Sequence, residues 1–161
     1  MSFPLPEPMR LALDEARAAA ASGEVPVGAV VSRSGEAIAV ARNRMRETND
    51  PTAHAEMVAM RAAAAALGTP RLDGCDLWVT LEPCAMCAGA MALARISRLY
   101  FAAGDEKGGA VVNGPRLFAQ PTCHHAPEVY PGMGEAQAGA LLRDFFKARR
   151  EPPRGTGPRG G

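Results

Sequence analysis

A chain of 161 residues is expected to form one domain, long enough to bury roughly two-thirds of its unfolded surface. Hydrophobic residues at 47% and charged residues at 22% exclude a disordered chain, and 5% aromatic content argues against broad stacking platforms for nucleic acid. The net charge of +1 hides an asymmetry: residues 143–161 carry six Arg and Lys against two acids, or +4, which leaves 1 − 4 = −3 for the rest.

The N-terminus "MSFPLPEP" lacks the basic-then-apolar plan of a signal peptide, and no run reaches transmembrane length. A soluble cytoplasmic protein is the expectation, with its four cysteines reduced and available for metal or redox chemistry. Met9 to Ser22 has Leu, Met and Ala spaced for one buried helical face, with Gly23 as a stop. "VPVGAVVS" and "AIAVAR" are short apolar runs around Ser34-Gly35, which predicts a β-hairpin. Thr52 is placed to cap the next helix, "AHAEMVAMRAAAAAL", which ends at Gly68. "CDLWVTL" reads as a central strand, "CAMCAGAMALAR" as a helix behind Pro83, and "ISRLYFAA" as another strand. Alternation of this kind predicts a three-layer α/β fold with a mixed sheet. "GDEKGGAVVNGP" and "TCHHAPEVYPGM" read mostly as loop, with a short strand near Val129 and Tyr130. A helix returns over Glu135 to Arg150, its apolar stripe made by Leu141, Leu142, Phe145 and Phe146. The expected domain is therefore 1–150, and 151–161 is a tail flexible by composition.

"EPCAMC" places Cys84 and Cys87 three residues apart at a helix start, which brings both sulfurs to one face. Alone, a C-x-x-C fits half a structural zinc site, a redox pair or no site at all. His54-Ala55-Glu56 opens the preceding helix, and two residues so spaced cannot share one flank. Both can reach a point just beyond the helix end, where the Cys84 helix would also arrive. His54, Cys84 and Cys87 then make three zinc ligands, with the fourth tetrahedral position left for water, and Glu56 beside it is suited to move protons. The plainer readings are a core histidine and a helix-start carboxylate, or a four-ligand structural site closed by Cys75 or by Cys123-His124-His125.

The pattern H-x-E…P-C-x-x-C resembles the signature of the zinc-dependent nucleobase deaminases. "EVPVGAV", Asn43-Arg44, "DPTAHAEMVAMR", "LWVTLEPCAMCAGAM", "RISRLYF" and "DFFKARR" together look like the bacterial tRNA-specific adenosine deaminases. The resemblance covers roughly 9–107 and 141–150, and Gly108 to Gly139 departs from the family's usual stretch. It implies a three-layer α/β/α cytidine-deaminase-like fold with a mixed five-stranded sheet, one Zn2+ per chain, a homodimer, and hydrolytic conversion of adenosine to inosine at a tRNA wobble position. Carried across by position, His54, Cys84 and Cys87 would hold zinc and Glu56 would shuttle protons. Asn43 would hydrogen-bond the base, while Pro26, Val27, Ala55 and Pro83 would line its pocket. Asp105 and Lys107 would lie near the substrate strand, Phe146 would shape the RNA groove, and Arg149, Arg150 and the tail would meet phosphate. The alternative enzyme is a free nucleobase or nucleoside deaminase, for example of guanine. A zinc module that merely holds RNA is a different class again, in which Glu56 would have no task.

Overall fold

The computed structural model describes residues 4–150. α1 (Glu7–Ala21) opens with Pro8 in its first turn and buries Met9, Ala12, Leu13, Ala16 and Ala19, the one-sided spacing of an amphipathic helix. Its alanines let the helix backbone approach the sheet closely. β1 (Gly28–Arg33) and β2 (Glu36–Arg42) follow as the expected hairpin. Its turn residues, Ser34 at φ 51° and Gly35 at φ 82°, are both left-handed, as a two-residue hairpin with the right twist requires. Next come a short helix absent from the sequence reading, α2 (Met45–Thr48), and then α3 (Ala55–Leu67), which stops on Gly68 at φ 68°. β3 (Cys75–Leu81), α4 (Ala85–Ala94) and β4 (Arg98–Ala103) form a β-α-β crossover. β5 (Glu128–Pro131) and α5 (Glu135–Arg150) complete the described residues.

The five strands lie in the order β2-β1-β3-β4-β5. β1 pairs antiparallel with β2 and β3, whereas β4 pairs parallel with β3 and β5, so the sheet is mixed as expected. Alternate strand residues feed two cores. Ala29, Val31, Leu77, Val79, Leu99 and Phe101 pack with α3 and α4 on one face. Val30, Trp78, Tyr100 and Ala102 pack with α1 and α5 on the other. Together these make three layers, α/β/α. On the α1 face the Trp78 ring stacks on Tyr100 at 3.8 Å, and Tyr100 on Tyr130 at 5.0 Å, tying the edge strand β5 to the centre of the sheet. Among the described residues no helix is long and apolar enough to cross a membrane.

One end of the sheet is built for a site. β1 starts there, and β2, β3 and β4 all finish there. The segments 24–27, 43–45, 82–84 and 104–108 therefore leave the strands side by side.

Candidate active site

His54 and Cys84 occupy equivalent places, each the N-cap of its helix, and neither side chain caps it. Both are turned outward to a shared point, and Cys87 joins them from the first turn of α4. The Cys84 and Cys87 sulfurs lie 3.5 and 3.6 Å from His54 Nδ1, and all three ligand atoms fall within 4.8 Å of one another. A tetrahedral zinc with bonds of ~2.1 Å to nitrogen and ~2.3 Å to sulfur sets those atoms about 3.6 Å apart. The donor set therefore fits that ion in type and in spacing. Its electrostatics point the same way. Hydrogen bonding from the Cys87 thiol, then from His54, draws the Cys84 thiol down to about 3. Cys87 is pushed up by Cys84 and by burial, so the two sulfurs compete for one negative charge. A divalent cation touching both removes that competition. Cys75 is buried away from this group, and Cys123 instead donates to the His125 carbonyl at 3.1 Å, so neither is a fourth ligand.

Glu56 is 4% exposed, two residues into α3, and burial pushes its carboxyl up from the usual range. It lines a cavity of about 200 Å3 together with His54, Cys84, Val25, Val27, Asn43, Met45, Leu81, Glu82, Asp105 and Gly108. Three of the substrate residues expected from sequence, Val27, Asn43 and Asp105, thus meet His54 and Cys84 at one place. Pro26, Ala55 and Pro83 are buried and not among the lining residues, Lys107 is exposed on the loop beyond Asp105, and Phe146 is an exposed residue of α5. The side chain of Arg150 and the tail 151–161 lie outside the described residues.

Thr52 does not cap α3. Its N–H and hydroxyl both donate to Asp50 Oδ1, at 2.8 and 2.7 Å, which fixes the bend before the helix. Asn43 supplies the cap instead: its Oδ1 accepts from Ala55 N–H at 2.8 Å, while its Nδ2 donates to the Val25 carbonyl at 3.1 Å. Each polar end of the amide keeps one lone pair or one N–H for the cavity.

Sequence reasoning missed Val25, Met45, Leu81, Glu82 and Gly108. Of these Glu82 carried a visible signal, a carboxylate at the end of an apolar strand and directly before Pro83-Cys84. It is 3% exposed and satisfied by the loop after β4. Burial alone would push its carboxyl up; the N–H groups of Asp105, Asn113 and Val111 outweigh that and leave it below the usual range.

Comparison with known proteins places this arrangement. The model of the MafB19-like deaminases matches residues 6–150, a span that includes Gly108–Gly139. The tRNA-specific adenosine deaminase of Agrobacterium fabrum is 57% identical over 142 residues, which is 88% of this chain and 93% of that one. Its counterpart in Bacillus subtilis is 45% identical over 144 residues, 89% of each chain. A solved structure from a study of A-to-I editing by tRNA:A34 deaminases superposes with a TM-score of 0.83 at 57% identity, covering 84% of this chain and 98% of that one. A guanine deaminase from Nitrosomonas europaea gives a TM-score of 0.72 at 27% identity, covering 91% and 86%.

Proposed function

The chain belongs to the deaminase family, with tRNA-specific adenosine deaminases among its relatives, and from that premise we propose that it converts adenosine to inosine at the wobble position of a tRNA anticodon. The observation that carries this reading is 57% identity to a relative of that name across 88% of the chain, with His54, Cys84 and Glu56 lining one cavity and Cys87 grouped with His54 and Cys84. The guanine deaminase likeness, at 27%, supports the fold more than the substrate.

His54, Cys84 and Cys87 would hold one Zn2+, and that ion when bound supplies a Lewis acid that lowers the pKa of water at the open position. The rest belongs to the chain's own groups. Glu56, buried and held above the usual carboxylate range, accepts the proton of the attacking water. It delivers that proton to the ring nitrogen beside C6, which keeps it, then takes the second proton from the hydroxyl now on C6 and passes it to the amine, which leaves as ammonia. Adenosine plus water gives inosine plus ammonia, and Glu56 ends as it began. The remaining lone pair and N–H of Asn43 are available to the base edge. Val27 and Leu81 supply apolar walls, and a cavity of about 200 Å3 admits one flipped base rather than a stack of them.

The same proposal includes a homodimer. α4 leaves Leu93 83% exposed and Met86 36% exposed, an apolar face that a second copy would cover. Light scattering should report two chains for the native protein, and Leu93→Asp should shift it toward one.

The deciding assay is ammonia release from an anticodon stem-loop against free adenosine and free guanine. Turnover of the stem-loop alone is the expected result. Turnover of a free base or nucleoside with none of the stem-loop would sink the RNA assignment, and zinc with RNA affinity but no deamination would sink the enzyme.

A further inference from the structure

Glu82 is a buried carboxylate to which neither the ligand set nor the proton path gives a task. It stands between β3 and the Cys84 helix, and five N–H donors converge on it. Its Oε2 accepts from the backbone of Val111, Val112 and Asn113 at 3.0, 2.9 and 3.1 Å. Its Oε1 accepts from Asp105 N–H at 3.0 Å and from Asn113 Nδ2 at 2.7 Å. Three consecutive backbone N–H groups on one oxygen form an anion nest, filled here by a side chain of the same protein instead of a ligand. Gly109 is shaped to it: a Cβ there would stand 2.4 Å from Glu82 Cδ and 2.5 Å from the Asp105 carbonyl oxygen. The folded loop then orders its own start, because the Asp105 carboxylate accepts from the N–H groups of Lys107 and Gly108 at 3.1 and 2.9 Å. Asp105 and Gly108 are two of the residues lining the cavity.

We propose that Glu82 is a positioning residue for the substrate, holding segment 105–113 as a fixed wall of the pocket and so setting affinity for the nucleotide strand. The chemistry stays with Glu56, and the metal with His54, Cys84 and Cys87. A loop with this much glycine has high entropy to lose, and a wall ordered only on binding would weaken binding by that amount. Glu82 orders it beforehand. A neutral isostere does so less well, because a Gln keeps one oxygen for one set of donors and turns its own N–H groups on the other. The substrate half of this inference rests on the RNA reading above.

The test uses the zinc-loaded wild type, Glu82→Gln and Asn113→Ala, with the anticodon stem-loop as substrate and amide exchange read by mass spectrometry. Glu82→Gln is expected to keep one zinc per chain and a kcat within about threefold, while KM rises about tenfold or more, as for loss of pre-ordering by a charged hydrogen-bond cluster. Exchange over 105–113 should quicken and that over the β1–β2 hairpin should not. Asn113→Ala removes one donor, changes nothing near the ligands, and should shift KM and exchange the same way by less; it keeps the test open if the Gln variant folds poorly. Unchanged KM and unchanged exchange in both variants would overturn the proposal. So would loss of zinc with a collapse of kcat at constant KM, which would mean that Glu82 acts through the Cys84 helix. If the wild type leaves the stem-loop untouched, the RNA reading fails by itself, and the exchange rates still decide whether Glu82 holds the loop.

Discussion

Asn43 caps a helix to which it does not belong. Its Oδ1 accepts the first N–H of α3, that of Ala55, at 2.8 Å from a position just past the end of β2. The reason lies one residue earlier. His54 sits at the N-cap, where a Ser or Asp would ordinarily satisfy the helix amides, but its ring is turned to the cysteine sulfurs. The cap has to come from elsewhere, and Asn43 brings Val25 along by donating to its carbonyl. Asn43→Ala should therefore destabilise the zinc-loaded protein by about 1–2 kcal/mol, the sum expected for a lost cap and a buried hydrogen bond. Urea unfolding measures that directly. Turnover should fall as well, because the displaced amide also faces the cavity, and a variant as stable as wild type would contradict the capping role.

Glu56 offers a cleaner separation of chemistry from structure. It is not one of the three ligands, so Glu56→Gln should retain one zinc per chain by elemental analysis. With no carboxylate to carry protons, turnover should drop by at least ~10², the lower range for a removed general acid–base. A zinc-loaded Gln variant with near-normal rates would show that protons move by another route.

Removal of the metal should be selective in a way that the donors dictate. One imidazole and two thiols suit zinc, while magnesium demands oxygen ligands in octahedral array. Treatment with a chelator should abolish turnover and lower the melting temperature, since the sulfurs then compete again for one charge. Zinc should restore both, and magnesium neither. Cys87→Ser, which swaps a thiolate for a poor ligand, should lose zinc on dialysis; full zinc retention there would remove Cys87 from the ligand set.

How far these features could be read from the sequence differs by kind. The hairpin was legible because Ser34-Gly35 punctuates two apolar runs, and α3 and α4 because Gly68 and Pro83 bound them. The His54, Cys84 and Cys87 cluster, with Glu56 beside it, was legible because its spacing is local: His54 with Glu56, Cys84 with Cys87, each pair on one helix start. The pocket wall was not. Val25, Met45, Leu81 and Gly108 come from four segments that meet only when the strands align, and nothing in their local pattern announces it. Thr52 misled as a cap because Asp50, two residues away, holds it in a bend. α2 spans only four residues with none buried, too short for any periodicity to register. Glu82 looked like a lone acid beside a motif, since its five donors lie more than twenty residues further along the chain.

The closeness of α1 to the sheet gives the last prediction. Gly28 opens β1 directly beneath Ala12, and a Cβ built there would lie 1.9 Å from the Ala12 carbonyl oxygen and 2.9 Å from Ala16 N. Both obstacles are helix backbone, which cannot rotate aside as a flexible side chain would. Gly28 N–H also donates to Thr80 Oγ1 at 3.2 Å, a bond that β1 would lose by shifting away. Gly28→Ala must therefore lift α1 from the sheet, at a cost of about 3 kcal/mol or more, the upper end for overpacking. Gly139→Ala is the matched control. It lies within α5, where a Cβ would meet only the mobile end of Arg143, at 3.1 Å, and alanine should gain ~0.5–1 kcal/mol of helix propensity. Thermal unfolding of the two variants should move in opposite directions. Similar melting temperatures for both would mean that α1 does not sit as tightly on β1 as Gly28 implies.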